Sequence, residues 1–122
     1  MTRIALAAAA IWLGATAAPA MSKDLTAYTG TWATSPAFCA GPVAAIDAPI
    51  RIEPGRITFY EWSCVVADAA DLALDAASVA TLDCDGEGHQ WRETIVLGLD
   101  RTGALVMLRD GAAAFFGQKC RD

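Results

Sequence analysis

The sequence predicts an all-β fold, a small antiparallel barrel or sandwich of seven or eight strands. Between residues 49 and 64, apolar and polar residues alternate on both sides of Pro54-Gly55, the pattern of a half-buried β-hairpin. Proline presets φ and glycine supplies a positive φ, which favours a type II turn. Because later strand patterns are also short and joined by glycine-containing turns, neighbouring strands should pair antiparallel. We favour a barrel, because closure removes exposed edges.

Residues 1–20 are predicted to be a secretory signal peptide. Arg3 gives a cationic start, residues 4–18 are mostly apolar, and residues 18–20 form a small-x-small cleavage site. The apolar stretch is too short to span a bilayer core of about 30 Å. Residues 21–122 then form a single β-barrel domain without a membrane span, located in the periplasm or secreted.

The charge of the mature chain limits its partners. Cleavage removes one cation and no acid, so the formal net charge falls from −5 to −6. An acidic surface argues against nucleic acid as a partner. We expect a monomer that binds an unknown small ligand or a protein, such as a protease.

All four cysteines lie after the predicted cleavage site. An even number in a small exported protein indicates two disulfides. No C-x-x-C pairs are present, so neither a metal nor a cofactor is predicted. Of the three possible pairings we favour Cys39–Cys64, because residues before the first strand of a hairpin lie beside the end of its second strand. Cys84–Cys120 then follows by exclusion.

The remaining elements follow in chain order. A first strand is expected from Ala27 to Thr34, and a loop that contains Cys39 leads to the hairpin. The segment 65–77 is ambiguous, because Leu72 and Leu74 alternate as in a strand, but alanine and leucine favour a helix of one or two turns. It is the only helix candidate. Four strand patterns follow at residues 79–84, 89–97, 104–108 and 112–117.

Glu61 is the main candidate for a ligand-binding residue. If Ile57 and Phe59 point into the core, strict alternation carries Glu61 inward after them. A carboxylate on an apolar face costs several kcal/mol unless a cation or hydrogen-bond donors compensate it. It would therefore orient a polar ligand at a cavity floor or form a structural ion pair. A β-bulge that turns Glu61 to solvent is the alternative.

Two arginines are candidate partners of Glu61 and candidate ligand-binding residues. Arg109 is preferred, because it follows Leu105 and Met107 on one face of a strand just as Glu61 follows its own apolar neighbours. Arg92 is the second choice. Both place a guanidinium where it could neutralise a buried carboxylate.

Tyr60 and Trp62 are the aromatic candidates for binding. Alternation places both on the face opposite Phe59, where they either cover a loop or, if exposed together, form a recognition patch. No catalytic residue is identified, since His89 is isolated and no nucleophile motif is present. No spacing singles out Glu61 and Glu93 as a hydrolytic carboxylate pair.

Two family resemblances are present. Gly30-Thr31-Trp32 resembles the Gly-x-Trp that opens the first strand of lipocalins and related calycin barrels. With a cysteine soon after it, and residues 103–116 as a later strand pair, the chain also resembles the periplasmic inhibitors of serralysin-type metalloproteases. That resemblance implies a barrel whose N-terminal segment, residues 21–27, enters a protease cleft and approaches its zinc. The Tyr60-Glu61-x-x-Cys64 pattern is similar to that of small secreted bacterial proteins.

These observations rank three functions. The first is a non-catalytic exported binding protein, with a small molecule in the barrel mouth or another protein at a loop end. The second is a periplasmic metalloprotease inhibitor that acts through its N-terminal segment. The third is a small hydrolase-type enzyme that uses Glu61.

Overall fold

Eight antiparallel strands form a closed barrel in the computed structural model, which describes residues 24–40, 47–72, 77–110 and 112–121. Each strand pairs with its neighbours in the chain, and the last strand closes on the first. The predicted all-β fold is confirmed, and it is the barrel; the predicted signal peptide lies outside the described residues. The strands are β1 Gly30–Ala33, β2 Ile50–Glu53, β3 Arg56–Phe59, β4 Trp62–Asp71, β5 Ala77–Gly86, β6 His89–Leu99, β7 Leu105–Arg109 and β8 Ala112–Lys119.

The described residues form no long helix. Two short 3₁₀ segments, Thr26–Tyr28 and Pro36–Ala40, flank β1. No helix in the described part of the chain is long and apolar enough to cross a membrane.

The predicted turn at Pro54-Gly55 is present, but Gly55 does not have the positive φ that a type II turn requires, so the predicted turn type is wrong. The second arm of the hairpin is also shorter than expected. Glu53 pairs with Arg56 across the turn. The arm then ends at Phe59, which pairs directly with Trp62. Tyr60 and Glu61 therefore form a second turn, and Cys64 belongs to the following strand.

The predicted short helix is wrong. Residues 65–71 continue β4 and residue 77 begins β5; residues 73–76 lie outside the described range. Ala69 and Ala80 pair across the two strands and are both buried, so small side chains fill a narrow part of the barrel interior. Pairing along the ladder outweighs the helix propensity of alanine. A β-bulge between Val66 and Asp68 absorbs one extra residue.

The two disulfides are present, but the favoured pairing is wrong. The bridges are Cys39–Cys120 and Cys64–Cys84. Cys64 and Cys84 are register partners on β4 and β5, with both side chains buried in the interior. Since a turn separates Cys64 from β3, Cys64 faces β5 rather than the chain before β2. Cys39 follows β1 and joins Cys120, which follows β8.

The seam that closes the barrel is short. β1 and β8 share two register pairs, Trp32 with Lys119 and Ala33 with Gln118, and the N–H of Cys120 donates to the carbonyl of Thr31 at 2.7 Å. Gly30, at φ +145°, allows the Lys119 side chain to lie over it, because a Cβ there would come within 2.6 Å of Lys119 Cε. The Cys39–Cys120 bridge reinforces this seam.

The two ends of the barrel differ. One end, here called the floor, carries the Pro54-Gly55 turn and is plugged by the segment before β1. The side chain of Leu25 is fully buried there, and its N–H donates to the carbonyl of Pro54 at 2.9 Å. The Tyr28 hydroxyl lies 2.8 Å from Ser78 Oγ. The opposite end, here called the mouth, carries the β3–β4, β5–β6 and β7–β8 turns.

Candidate ligand-binding site at the barrel mouth

The polar interior of the mouth is positioned by the alternation of β6. Ile95 and Leu97 are fully buried, so Glu93 and Trp91, two and four residues before Ile95, also point inward. Arg92 is exposed on the outer face. Strand alternation thus delivers a carboxylate and an indole to the same interior wall.

Glu93 forms a bidentate ion pair with Arg109 of β7. Arg109 Nε donates to Glu93 Oε2 at 2.6 Å, and Arg109 Nη2 donates to Glu93 Oε1 at 2.8 Å. Trp91 Nε1 donates to Oε1 at 2.7 Å. The Glu93 side chain is only 9% exposed, whereas that of Arg109 is 36% exposed. The pair joins two neighbouring strands and satisfies both carboxylate oxygens.

Both members of this pair are charged at neutral pH. Burial alone would raise the pKa of Glu93, but the hydrogen bonds from Arg109 and Trp91 and the charge of Arg109 outweigh it, so the pKa lies below its ordinary value. The hydrogen bond to Glu93 raises the pKa of Arg109, and burial opposes that shift. The interior therefore holds an ionised but locally neutral pair.

Aromatic rings form the wall beside the ion pair. Phe59 and Trp62 stack with centroids 3.8 Å apart and planes within 5°. The rings of Trp62 and Trp91 lie 5.4 Å apart at 46°. The guanidinium carbon of Arg109 lies 5.0 Å from the Trp62 ring centroid, within the range of a cation–π contact. Trp62 is therefore the centre of the cluster.

Two adjacent cavities open around Trp62. The first, about 370 Å³, is lined by Phe59, Phe115 and Met107 among other residues. The second, about 480 Å³, is lined by Trp91 and His89 among others. Trp62, Glu87 and Arg109 line both cavities. Together they form one two-lobed site, here called the mouth site.

Three carboxylates stand at the turns of the mouth. Glu61, Glu87 and Asp110 are exposed and have positive φ values of 64°, 53° and 53°. They are the non-glycine residues with positive φ in the described ranges. An l-residue other than asparagine or aspartate adopts this conformation at some cost in strain. Because the side chains of these three turn residues are acidic and exposed, the mouth has a negatively charged rim.

The prediction that Glu61 points into the core and pairs with Arg109 is wrong. Glu61 lies in the two-residue turn, exposed to solvent, and contributes only to the rim of the first cavity. Arg109 does point into the mouth, but its partner is Glu93. The turn interrupts the alternation after Phe59, which is why the extrapolation from Ile57 and Phe59 fails.

The remaining candidates divide between the inside and the outside of the barrel. Trp62 shares the face of Phe59 rather than the opposite face, because the two are register partners. Tyr60 is an exposed turn residue at the edge of the first cavity. Arg92 does not reach Glu61, because it pairs with Asp83 on the outer face. The structure thus brings Trp62, Tyr60 and Arg109 to the mouth and separates Arg92 from them.

Sequence reasoning missed the Glu93–Arg109 pair and the contribution of Trp91. The signal was present, because Trp91 and Glu93 alternate in phase with Ile95 and Leu97. Within the described residues, no group of three or more histidine, cysteine or acidic residues could hold a metal ion.

No protein-family model matches the chain, and it shows no significant similarity to a curated protein or to a solved structure. A function must therefore be inferred from the geometry and chemistry of the mouth site.

Proposed function

We propose that the protein binds, without chemical conversion, a small ligand with a planar apolar part in the mouth site. The observation that carries this proposal is the stack of Phe59 and Trp62 beside a cavity of about 370 Å³. Ligand sites are typically concave, of 300–1,000 Å³, with aromatic walls and a few fixed polar groups. The mouth site has this composition.

The polar groups of the site support binding rather than catalysis. Both oxygens of Glu93 accept hydrogen bonds, and its lowered pKa makes it a weak general base. Arg109 uses Nε and Nη2 on Glu93. The pair therefore acts as a rigid polar wall that fixes the aromatic rings before a ligand arrives, which lowers the entropic cost of binding.

Two other functions stay predictions. Protease inhibition through residues 21–27 would need that segment to enter a protease cleft, but Leu25 is buried in the floor and Thr26 begins a 3₁₀ segment. Hydrolysis by Glu61 would need a second polar group in reach of that exposed turn residue. No observation on the described residues favours either over ligand binding.

The test uses the neutral dye N-phenyl-1-naphthylamine. We expect saturable one-to-one binding with increased dye fluorescence, weakened about tenfold or more by Trp62→Leu, which removes the stacking surface. Phe116→Ser is the matched control, since Phe116 is exposed and does not line either mouth cavity. The proposal is refuted if the dye shows no saturable binding to the parent protein. It is also refuted if Phe116→Ser loses dye binding while Trp62→Leu keeps it.

A further inference from the structure

We infer that the ligand class of the mouth site is an organic cation, a planar amine or quaternary ammonium group whose charge meets the rim while its apolar part meets the aromatic wall. This inference deepens the proposed function and rests on it. Two independent features carry it: the charge distribution around the cavities and the cation already seated on the Trp62 ring.

The charge distribution of the mouth is one-sided. Glu61 and Glu87 line the first cavity, and Glu87 also lines the second. Asp110 follows Arg109 directly at the third turn. Among the described residues that line either cavity, Arg109 is the one arginine or lysine, and its charge is balanced by Glu93. The second cavity is also lined by the imidazole of His89. An entering ligand therefore meets an excess of negative charge.

The other arginines and the lysine among the described residues line neither cavity and therefore do not offset this excess. Arg92 is held by Asp83 on the outer face, and Arg51 donates to Thr31 at 3.0 Å, also on an exposed side. Arg56 donates to Ser63 at 3.1 Å and follows the floor turn. None of the three lines the mouth cavities. The low-dielectric aromatic walls focus the field of the rim carboxylates toward the opening.

The aromatic wall is chemically suited to a cation. Indole gives the strongest cation–π attraction among the side-chain rings. The Trp62 ring shows this attraction within the protein, because it carries the Arg109 guanidinium carbon 5.0 Å from its centroid while it stacks on Phe59. An entering cation would therefore meet the other rings of the site. Trp91 and the exposed ring of Tyr60 add further π surface at the cavity edges. An anionic ligand, in contrast, would pass the carboxylates of Glu61 and Glu87. It would also find two guanidinium nitrogens of Arg109 engaged by Glu93.

The test compares three probes of one shape and different charge: 1-naphthylmethylammonium, 1-naphthalenemethanol and 1-naphthoate. Affinities are measured by chemical-shift titration of the parent protein. We expect the cation to bind about tenfold or more tightly than the alcohol, and the carboxylate to bind most weakly. Raising the salt concentration should narrow the difference, since the rim charges are exposed.

A rim variant, Glu61→Gln/Glu87→Gln/Asp110→Asn, should lose most of the preference for the cation and keep its affinity for the alcohol. Glu53→Gln is the control, because Glu53 is an exposed acid beside the floor turn. If the rim variant fails to fold, the order of the three probe affinities for the parent protein still tests the preference for a cation. Equal affinity for cation and alcohol, or preference for naphthoate, overturns the inference but leaves ligand binding standing. If none of the probes binds, the proposed function itself fails.

Discussion

Arg92 and Glu93 are neighbours on β6, yet one ion pair lies outside the barrel and the other inside. Arg92 pairs with Asp83 across to β5, with side chains 65% and 52% exposed. Glu93 pairs with Arg109 across to β7, where the carboxylate is almost completely removed from solvent. The lengths of the two pairs are similar, at 2.8 and 2.6 Å. The comparison indicates that the side of the sheet on which a salt bridge lies, inside or outside the barrel, decides its contribution to stability more than its length does.

The physical reason is hydration. If an exposed partner is removed, water replaces it, so exposed pairs stabilise proteins by little. If the partner of a buried carboxylate is removed, the charge stays in a medium that cannot hydrate it. Breaking the outer pair should therefore leave the free energy of unfolding nearly unchanged, whereas breaking the inner pair should lower it.

The largest effect is expected for Arg109→Met. This change leaves Glu93 buried without its cation, and we expect a loss of about 2–4 kcal/mol in the free energy of unfolding, somewhat below the loss for a fully buried pair because Arg109 is partly exposed. Denaturant unfolding measures it. Arg92→Met, the same substitution on the outer face, is the matched control. Equal losses in both variants would abolish the distinction between inside and outside.

A smaller loss, about 1–2 kcal/mol, is expected for Glu93→Gln. The amide oxygen can still accept from Trp91, and the more exposed Arg109 can be hydrated. The double variant with Arg109→Met should lose clearly less than the sum of the single losses, which is the mark of coupled residues. Strict additivity would mean that the two side chains do not act as a pair.

The pH dependence gives the next comparison. The pKa of Glu93 is lower in the folded protein than its ordinary value of 4.5. Near pH 4.5 the folded state therefore binds fewer protons than the unfolded state. The ionised carboxylate of Glu93 contributes its full stabilisation only above this pH. This stabilisation is lost as pH falls through the lowered pKa. The parent protein should therefore lose more stability than Glu93→Gln between pH 5 and the acid limit of folding. Parallel curves for the two proteins would contradict this.

The smallest effect is expected for Asp83→Asn. The hydrogen bond from Arg92 lowers the pKa of Asp83, but both side chains are largely in solvent. We expect the denaturation midpoint to stay unchanged within error at moderate salt. A loss comparable with that of Glu93→Gln would show that the outer face is not equivalent to bulk solvent.

The sequence predicts the fold well because its signals are local. The Pro54-Gly55 turn and the alternation on both sides of it need no distant partner. The turn at Tyr60 and Glu61 was not predictable in the same way, because neither residue favours a positive φ. Because this turn interrupts the alternation, Trp62 points into the barrel and Glu61 points to solvent, the opposite of the predicted orientations.

The disulfide pairing and the strand conformation of residues 65–71 depend on how neighbouring strands pair, which local sequence patterns do not specify. Cys64 faces Cys84 only because β4 and β5 pair in that register, and register depends on the whole ladder. Likewise, Ala69 favours a helix locally, but it is buried inside the barrel opposite Ala80 of β5. The inward orientation of Glu93 and of Arg109 could be found by alternation, from their phase with Ile95 and Met107. Their contact also depends on the register of β6 and β7.

The short seam between β1 and β8 has a consequence for the order of folding. Most neighbouring strands meet across brief turns, and β1 and β2 meet across residues 34–49. β1 and β8 meet only after the whole chain between them has been arranged, so their contact carries the greatest loop-closure entropy. We expect closure to be the last step. The Cys39–Cys120 bridge, with a sequence separation of 81, keeps the two ends together in the unfolded chain. Oxidised protein should therefore refold faster than Cys39→Ala/Cys120→Ala, and equal refolding rates would place closure before the slowest step.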